Sequence, residues 1–262
     1  VQLRGEAGMG KSRLAKEFLA WAKTQGALII QGRSFESSQQ LPYQPLLTAL
    51  RPCLEQVNAP EDLLSDTWLL ALCTLLPELL DRYPDLATMP APATDEQAAR
   101  THLFEAVTRL LLALADRRAD QVPLILFFDD LQWADAATLD VIQYAAQQFR
   151  GQAAPCLLLC AVRSEAMLPG SPVVRCWQQL ERLISTEIVD LRSLTEAETA
   201  EFIQGLGGEG NGRFASWLFQ ETVGQPFYLV ETIKELLAQK VLQYQPDDTG
   251  KAQLQIITMP DF

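Results

Sequence analysis

The 262-residue sequence is poor in the residues that build most metal sites. It holds one histidine, His102, and its five cysteines (Cys53, Cys73, Cys156, Cys160, Cys176) show no CxxC spacing. That set cannot supply a zinc framework, and the cysteines read as reduced, core-filling residues of a cytoplasmic protein. His102 lacks a Cys or Asp at catalytic spacing and reads as an ordinary helical residue. Positive charge is also scarce, with 21 Lys and Arg against 33 Asp and Glu, a formal net charge of −12. Such a surface repels nucleic-acid phosphates, and no basic cluster offsets it, so direct nucleic-acid binding by this segment is not expected. Long apolar runs are missing too. The longest, Cys156 to Val162, falls far short of the roughly 18 residues that a bilayer-crossing helix needs, and no basic segment followed by an apolar stretch opens the chain. No membrane role is expected.

What is present is enough apolar material, 48% of residues, to bury a real interior in one large domain or a core with a smaller companion. Val1 falls inside an expected strand and the chain closes on Met259-Pro260-Asp261-Phe262, which reads as a piece of a longer protein. Val1 to Arg4 is a short strand, Gly5 to Gly10 places three glycines in six positions, and Lys11 to Lys23 repeats apolar residues at helical spacing (Leu14, Ala15, Phe18, Leu19, Ala22). Ala27 to Ile30 reads as a second strand, closed by the polar Gln31 to Ser34. Residues 36–94 are leucine-rich but cut by prolines into short helices, a helical insertion. Thr94-Asp95-Glu96-Gln97 has the form of a capping box, and the helix behind it carries Leu103, Phe104, Val107, Leu110, Leu111 and Leu114 on one side.

Pro123 to Phe128 is continuously apolar and ends at Asp129-Asp130, the pattern of a strand buried on both faces whose carboxyl end meets a ligand crevice. Leu157 to Val162 ends in the same way at Arg163, and Thr186 to Leu191 reads as a last strand. Strands alternating with helices predict an α/β fold, a three-layer core around a parallel sheet. From Thr195 the pattern turns wholly helical, beginning with the capping box Thr195 to Glu198 and interrupted at Gly224-Gln225-Pro226. The expected domains are a core over 1–192, containing the insertion, and a small helical lid over 193–262.

The chemistry centres on Gly5-Glu6-Ala7-Gly8-Met9-Gly10-Lys11-Ser12, which fits GxxxxGK[ST] between a strand and a helix. Glycines let the backbone turn its N–H groups around phosphates, and the helix N-terminus adds a positive dipole end. Lys11 reaches the outer phosphates and the Ser12 hydroxyl ligates Mg²⁺. This P-loop NTPase motif predicts ATP or ADP with Mg²⁺ as ligands, Gly5 to Arg13 forming the nucleotide-binding stretch. Asp129 is the second expected Mg²⁺ residue, and Asp130 the base that orients the attacking water. Arg163, at the end of the next strand, is either a γ-phosphate contact or a surface arginine paired with Glu165. Trp133 is read as packing under the strand end rather than as an adenine shelf.

Together, Gly5 to Leu14, Phe128-Asp129-Asp130-Leu131-Gln132-Trp133-Ala134-Asp135, Ala161-Val162-Arg163-Ser164-Glu165 and Gly224-Gln225-Pro226-Phe227 resemble the STAND class of AAA-related signalling ATPases over nearly the whole chain. The resemblance is greatest to bacterial members joined to adenylate cyclase, kinase or DNA-binding regulator domains, which share a Pro-Tyr-x-Pro segment like Pro42 to Pro45. It implies a sheet in the order 5-1-4-3-2, Arg163 sensing the γ-phosphate, and Pro226 lying against adenine. It also implies a slowly hydrolysing switch, closed with ADP and opened by ATP and an inducer, often into a homo-oligomer, that acts on attached output domains. Two parts of the family pattern are not in this sequence: a Gly-Arg pair ahead of the first strand, and a winged-helix module that would begin near Pro260. The alternatives are an AAA+ machine working on DNA, a P-loop kinase of a small acceptor, and a scaffold that binds ATP without turnover.

Overall fold

Alternating apolar runs and amphipathic stretches resolve into strands and crossover helices. The computed structural model describes residues 1–38, 41–56, 63–89, 95–116, 123–152, 154–207, 212–246 and 252–257. The chain divides into two units, Val1–Arg4 with Ser12–Val189, and Gly5–Lys11 with Asp190–Phe262.

In the first unit, β1 (Gln2–Gly5), β2 (Leu28–Arg33), β3 (Leu124–Asp129), β4 (Cys156–Arg163) and β5 (Ile188–Asp190) form one sheet in the order β2-β3-β4-β1-β5. Read from the other edge, this is the expected 5-1-4-3-2. The pairs β2/β3 and β3/β4 are parallel. All six residues of β3 are buried, as its unbroken apolar run requires of a central strand with helices on both faces. Strand β2 runs on to Arg33, which pairs in register with Asp129, whereas the polar residues after Ile30 were expected to end it. Gly32 explains the extension. A Cβ there would lie 2.3 Å from the Pro45 carbonyl oxygen and 3.0 Å from the Phe128 ring, so the strand passes under its neighbours only because it has no side chain at that point.

Helix α1 (Lys11–Thr24) buries Ala15, Leu19 and Ala22 but leaves Leu14 and Trp21 exposed, so its inner face is narrower than its apolar spacing suggests. The insertion contributes the helices α2 (Gln44–Gln56), α3 (Asp66–Cys73) and α4 (Glu78–Arg82). Helix α5 (Glu96–Asp116) buries the six apolar residues expected of it. Thr94 of the expected capping box lies outside the described residues; the side chain of Asp95 accepts a hydrogen bond from the Ala98 N–H at 2.7 Å, filling the N-terminal acceptor role. Helices α6 (Ala136–Gly151) and α7 (Pro172–Leu183) complete the layers, and α6 is capped by Asp135, which accepts from the Thr138 N–H.

The second unit contains α8 (Glu196–Gly205), α9 (Gly212–Thr222) and α10 (Pro226–Ala238) around a core of Ile203, Phe214, Leu218, Leu229 and Ile233. The capping box at Thr195 and Glu198 forms as expected. The wholly helical expectation fails at β6 (Leu242–Pro246) and β7 (Ala252–Ile256), an antiparallel hairpin. Its residues alternate, and Leu242 and Leu254 reach the unit's core, so a period of two outweighed the helical context. Among the described residues no helix is long and apolar enough to cross a membrane.

Candidate functional site

The glycine loop belongs to the second unit. Gly8 and Gly10 take φ of 83° and 87°, values that glycine adopts without the steric cost of a Cβ. Lys11 is 8% exposed, and its ammonium donates to the carbonyls of Gly5 at 2.8 Å and Glu6 at 2.7 Å. The loop is thus wrapped around its own lysine. On the loop's other side, the Gln225 side-chain amide donates to the Ala7 carbonyl at 3.0 Å and the Phe227 N–H donates to the Gly8 carbonyl at 3.1 Å. Pro226 sits between them as the first residue of α10, where a missing N–H costs nothing.

A second cluster lies in the first unit at the carboxyl end of the sheet. The Ser12 hydroxyl donates to Asp129 Oδ1 at 2.9 Å, joining the start of α1 to the end of β3. The same oxygen accepts the Asp130 N–H at 3.1 Å. Asp130 has φ 54° and ψ 41°, the left-handed region that Asp tolerates better than most residues, and this turns its carboxylate back along the strand ends. There Arg33 Nη2 approaches Asp130 Oδ2 at 3.4 Å, Arg163 Nε approaches Oδ1 at 3.6 Å, and the Gln132 amide donates to Oδ1 at 3.0 Å. Gln132 Oε1 in turn accepts the Arg163 N–H at 3.1 Å. Arg33 Nε also lies 4.0 Å from Asp129 Oδ2.

The structure therefore brings Ser12, Asp129, Asp130 and Arg163 together, and it gives Arg163 the partner Asp130. Arg13 is exposed and paired with Glu17 one helical turn on. Trp133 is half-buried in the short turn after Asp130, and His102 meets the Trp68 ring edge-on at 5.8 Å. The cysteines are all unpaired, and burial pushes the Cys156 and Cys160 thiols up to about 12. Sequence reasoning missed Arg33, Gln132 and the side chain of Gln225. Arg33 left no such signal, because the polar run after Ile30 reads as a loop and only the pairing with Asp129 brings it to the same edge.

A loop of GxxxxGK[ST] form, with its serine hydrogen-bonded to the acid that ends an apolar parallel strand, is the arrangement of P-loop ATPases. Residues 1–159 match the family model described as AAA ATPase domain. The chain belongs to the AAA ATPase domain family. No curated protein sequence matches it significantly. Among solved structures, this AAA ATPase domain is similar to a Walker-type ATPase of Pyrococcus abyssi, with a TM-score of 0.51 and 13% identity, over 92% of this chain and 63% of that one. The domain thus spans less than two thirds of the archaeal protein's length, and at that identity the likeness concerns the fold. Drosophila ORC bound to GC-rich DNA and Cdc6 aligns with 98% of this chain and 80% of its own at 12% identity, with a TM-score of 0.34.

Proposed function

We propose that this chain is the ATP-binding and slowly hydrolysing switch module of a larger signalling or transcription-regulating protein, of the STAND type. The observation that carries the reading is the 2.9 Å hydrogen bond between Ser12 and Asp129, residues 117 apart in sequence. A hydroxyl and a carboxylate so placed are hard oxygen ligands that fit Mg²⁺, which commonly takes one or two protein oxygens and completes its shell with phosphate and water. Among the described residues no group of three or more His, Cys, Asp or Glu could hold a metal ion, so a cation here would rely on Ser12, Asp129 and the substrate itself. When bound, Mg²⁺ would neutralise charge on the transferring phosphoryl group.

Each residue then has a task. The backbone N–H groups of Gly8 to Ser12 cradle the phosphates, and Lys11 exchanges the Gly5 and Glu6 carbonyls for phosphate oxygens. Asp130 takes a proton from the attacking water, and Arg163 donates to the terminal phosphate. Arg33, Arg163 and Gln132 all approach the Asp130 carboxylate, and a base that must leave such partners before it can turn to a water supports slow rather than rapid turnover. The nucleotide state is passed to attached output domains, with ADP favouring a closed form and ATP an open, oligomerising one.

Thermal melting with and without Mg-ATP and Mg-ADP, beside Lys11→Ala, tests this. A ligand at 100 times its dissociation constant adds about 2.7 kcal/mol, a rise of roughly 5 to 11 °C in Tm for a chain of this size, and the variant should lose it. A folded protein that melts at the same temperature with either nucleotide refutes the reading.

A further inference from the structure

We infer that Gln225 is a positioning residue for the phosphate loop, orienting the loop's peptide planes from outside so that the C-terminal helical unit sets nucleotide affinity. The inference rests on the nucleotide reading above and concerns what holds the loop in shape rather than what it holds.

Gln225 is the N-cap residue of α10, yet its side chain makes no capping bond. Gln is not among the side chains that favour that position. Its amide reaches instead to the Ala7 carbonyl, 218 residues away in sequence. Two residues on, the Phe227 N–H, one of the helix-end donors that have no acceptor within the helix, finds the Gly8 carbonyl. Two consecutive loop carbonyls are therefore held by the start of one helix. In a trans peptide the C=O and the following N–H point in opposite directions. Fixing the Ala7 and Gly8 carbonyls toward α10 turns the Gly8 and Met9 N–H groups away from it, and the Met9 N–H does face back across the loop to the Glu6 carbonyl at 3.4 Å. Those N–H groups are the ones an anion would use.

The approach is close and the turn that permits it is strained. A Cβ on Gly8 would lie 2.9 Å from Phe227 Cβ. Val223 and Gly224 both take left-handed conformations, φ 50° and 67°. For a β-branched residue this is a real outlier, and such strain persists only where the surroundings over-determine it. Here they do. The Gln225 N–H donates to the Thr222 carbonyl, and the Leu194 N–H donates to the Gly224 carbonyl at 2.8 Å. The result aims one amide and one N–H at the loop.

The experiment compares wild type, Gln225→Leu and Gln239→Ala. Gln239 is a control amide on the same unit, bonded only locally to Glu235. Titration with a fluorescent ATP analogue in Mg²⁺ should show about 5-fold weaker binding for Gln225→Leu, the size of one neutral hydrogen bond. KM should rise with kcat little changed, the melting temperature without nucleotide should fall by no more than the few degrees that one such bond accounts for, and Gln239→Ala should match wild type. Amide hydrogen exchange over residues 5–12 should quicken in Gln225→Leu even without ligand, an effect that a purely surface role would not produce. Wild-type binding with unchanged affinity and exchange in Gln225→Leu overturns the positioning role alone. No binding by folded wild type overturns the nucleotide reading and this inference with it.

Discussion

Gly224→Ala is the sharpest structural perturbation available in the helical unit. The glycine sits at φ 67°, where an alanine costs about 1 to 2 kcal/mol in the backbone alone. Its new Cβ would also stand 1.9 Å from the Leu194 carbonyl oxygen, well inside the 3.4 Å at which ordinary contact begins. The obstacle is backbone, so the turn or the 194 peptide must move by more than 1 Å, roughly the whole of that overlap, and this breaks the Leu194 to Gly224 hydrogen bond. Losing it removes about 1 kcal/mol more. The total is about 2 to 3 kcal/mol, a fall of roughly 8 to 24 °C in Tm if a unit of this size unfolds by itself. Gly205→Ala provides the opposite case, since Gly205 closes α8 without positive φ and nothing lies within 4 Å of its Cβ position. Alanine there should stabilise by about 0.4 to 1 kcal/mol. Melts of both variants, followed by circular dichroism and calorimetry, decide the matter. The reasoning fails if Gly224→Ala melts within 2 °C or so of wild type, or if Gly205→Ala is equally damaging.

Three further outcomes are expected. Asp129→Asn should weaken the Mg²⁺ dependence of nucleotide stabilisation by at least about tenfold, what even an outer-shell partner of a metal typically costs; equal dependence with and without EDTA in both proteins would place the metal elsewhere. Burial raises the thiols of Cys156 and Cys160 to about 12 and of Cys53 and Cys176 to about 11, so iodoacetamide at pH 8 should label the folded chain slowly and the denatured chain fully. Rapid labelling of the native protein would contradict the burial. The Arg192 guanidinium, with the Thr195 backbone and hydroxyl, lowers Glu198 from its ordinary 4.5 to about 2. A depressed folded pKa stabilises above pH 4.5 or so and loses that contribution as pH falls toward 2, so Glu198→Gln should flatten this part of an acid titration of stability.

The features that could be read from the sequence were those whose cause is local. The glycine spacing before Lys11 and the apolar run before Asp129 each carry their own physics, and the sheet edge follows from where those strands end. The strand order came from the resemblance. Arg33 was hidden by Gly32, because a polar tail that looks like a loop is a strand once a glycine lets it pass beneath Pro45 and Phe128. The β6/β7 hairpin was hidden by brevity, two five-residue strands set after a long helical pattern. Gln225 could not be read at all, since its partner is the Ala7 carbonyl, and backbone carbonyls leave no trace in residue identity.

The grouping of Gly5–Lys11 with the C-terminal residues separates having a motif from having a site. A chain shortened to end at Val189 would still spell GxxxxGKS and would still satisfy any search for it. It would have lost Leu191, Gln225 and Phe227, the neighbours that Gly5 and Gly8 are shaped to meet. Gly5–Lys11 and the helical residues are thus one packed object, and the shape of the loop that the first spells is held in part by the second.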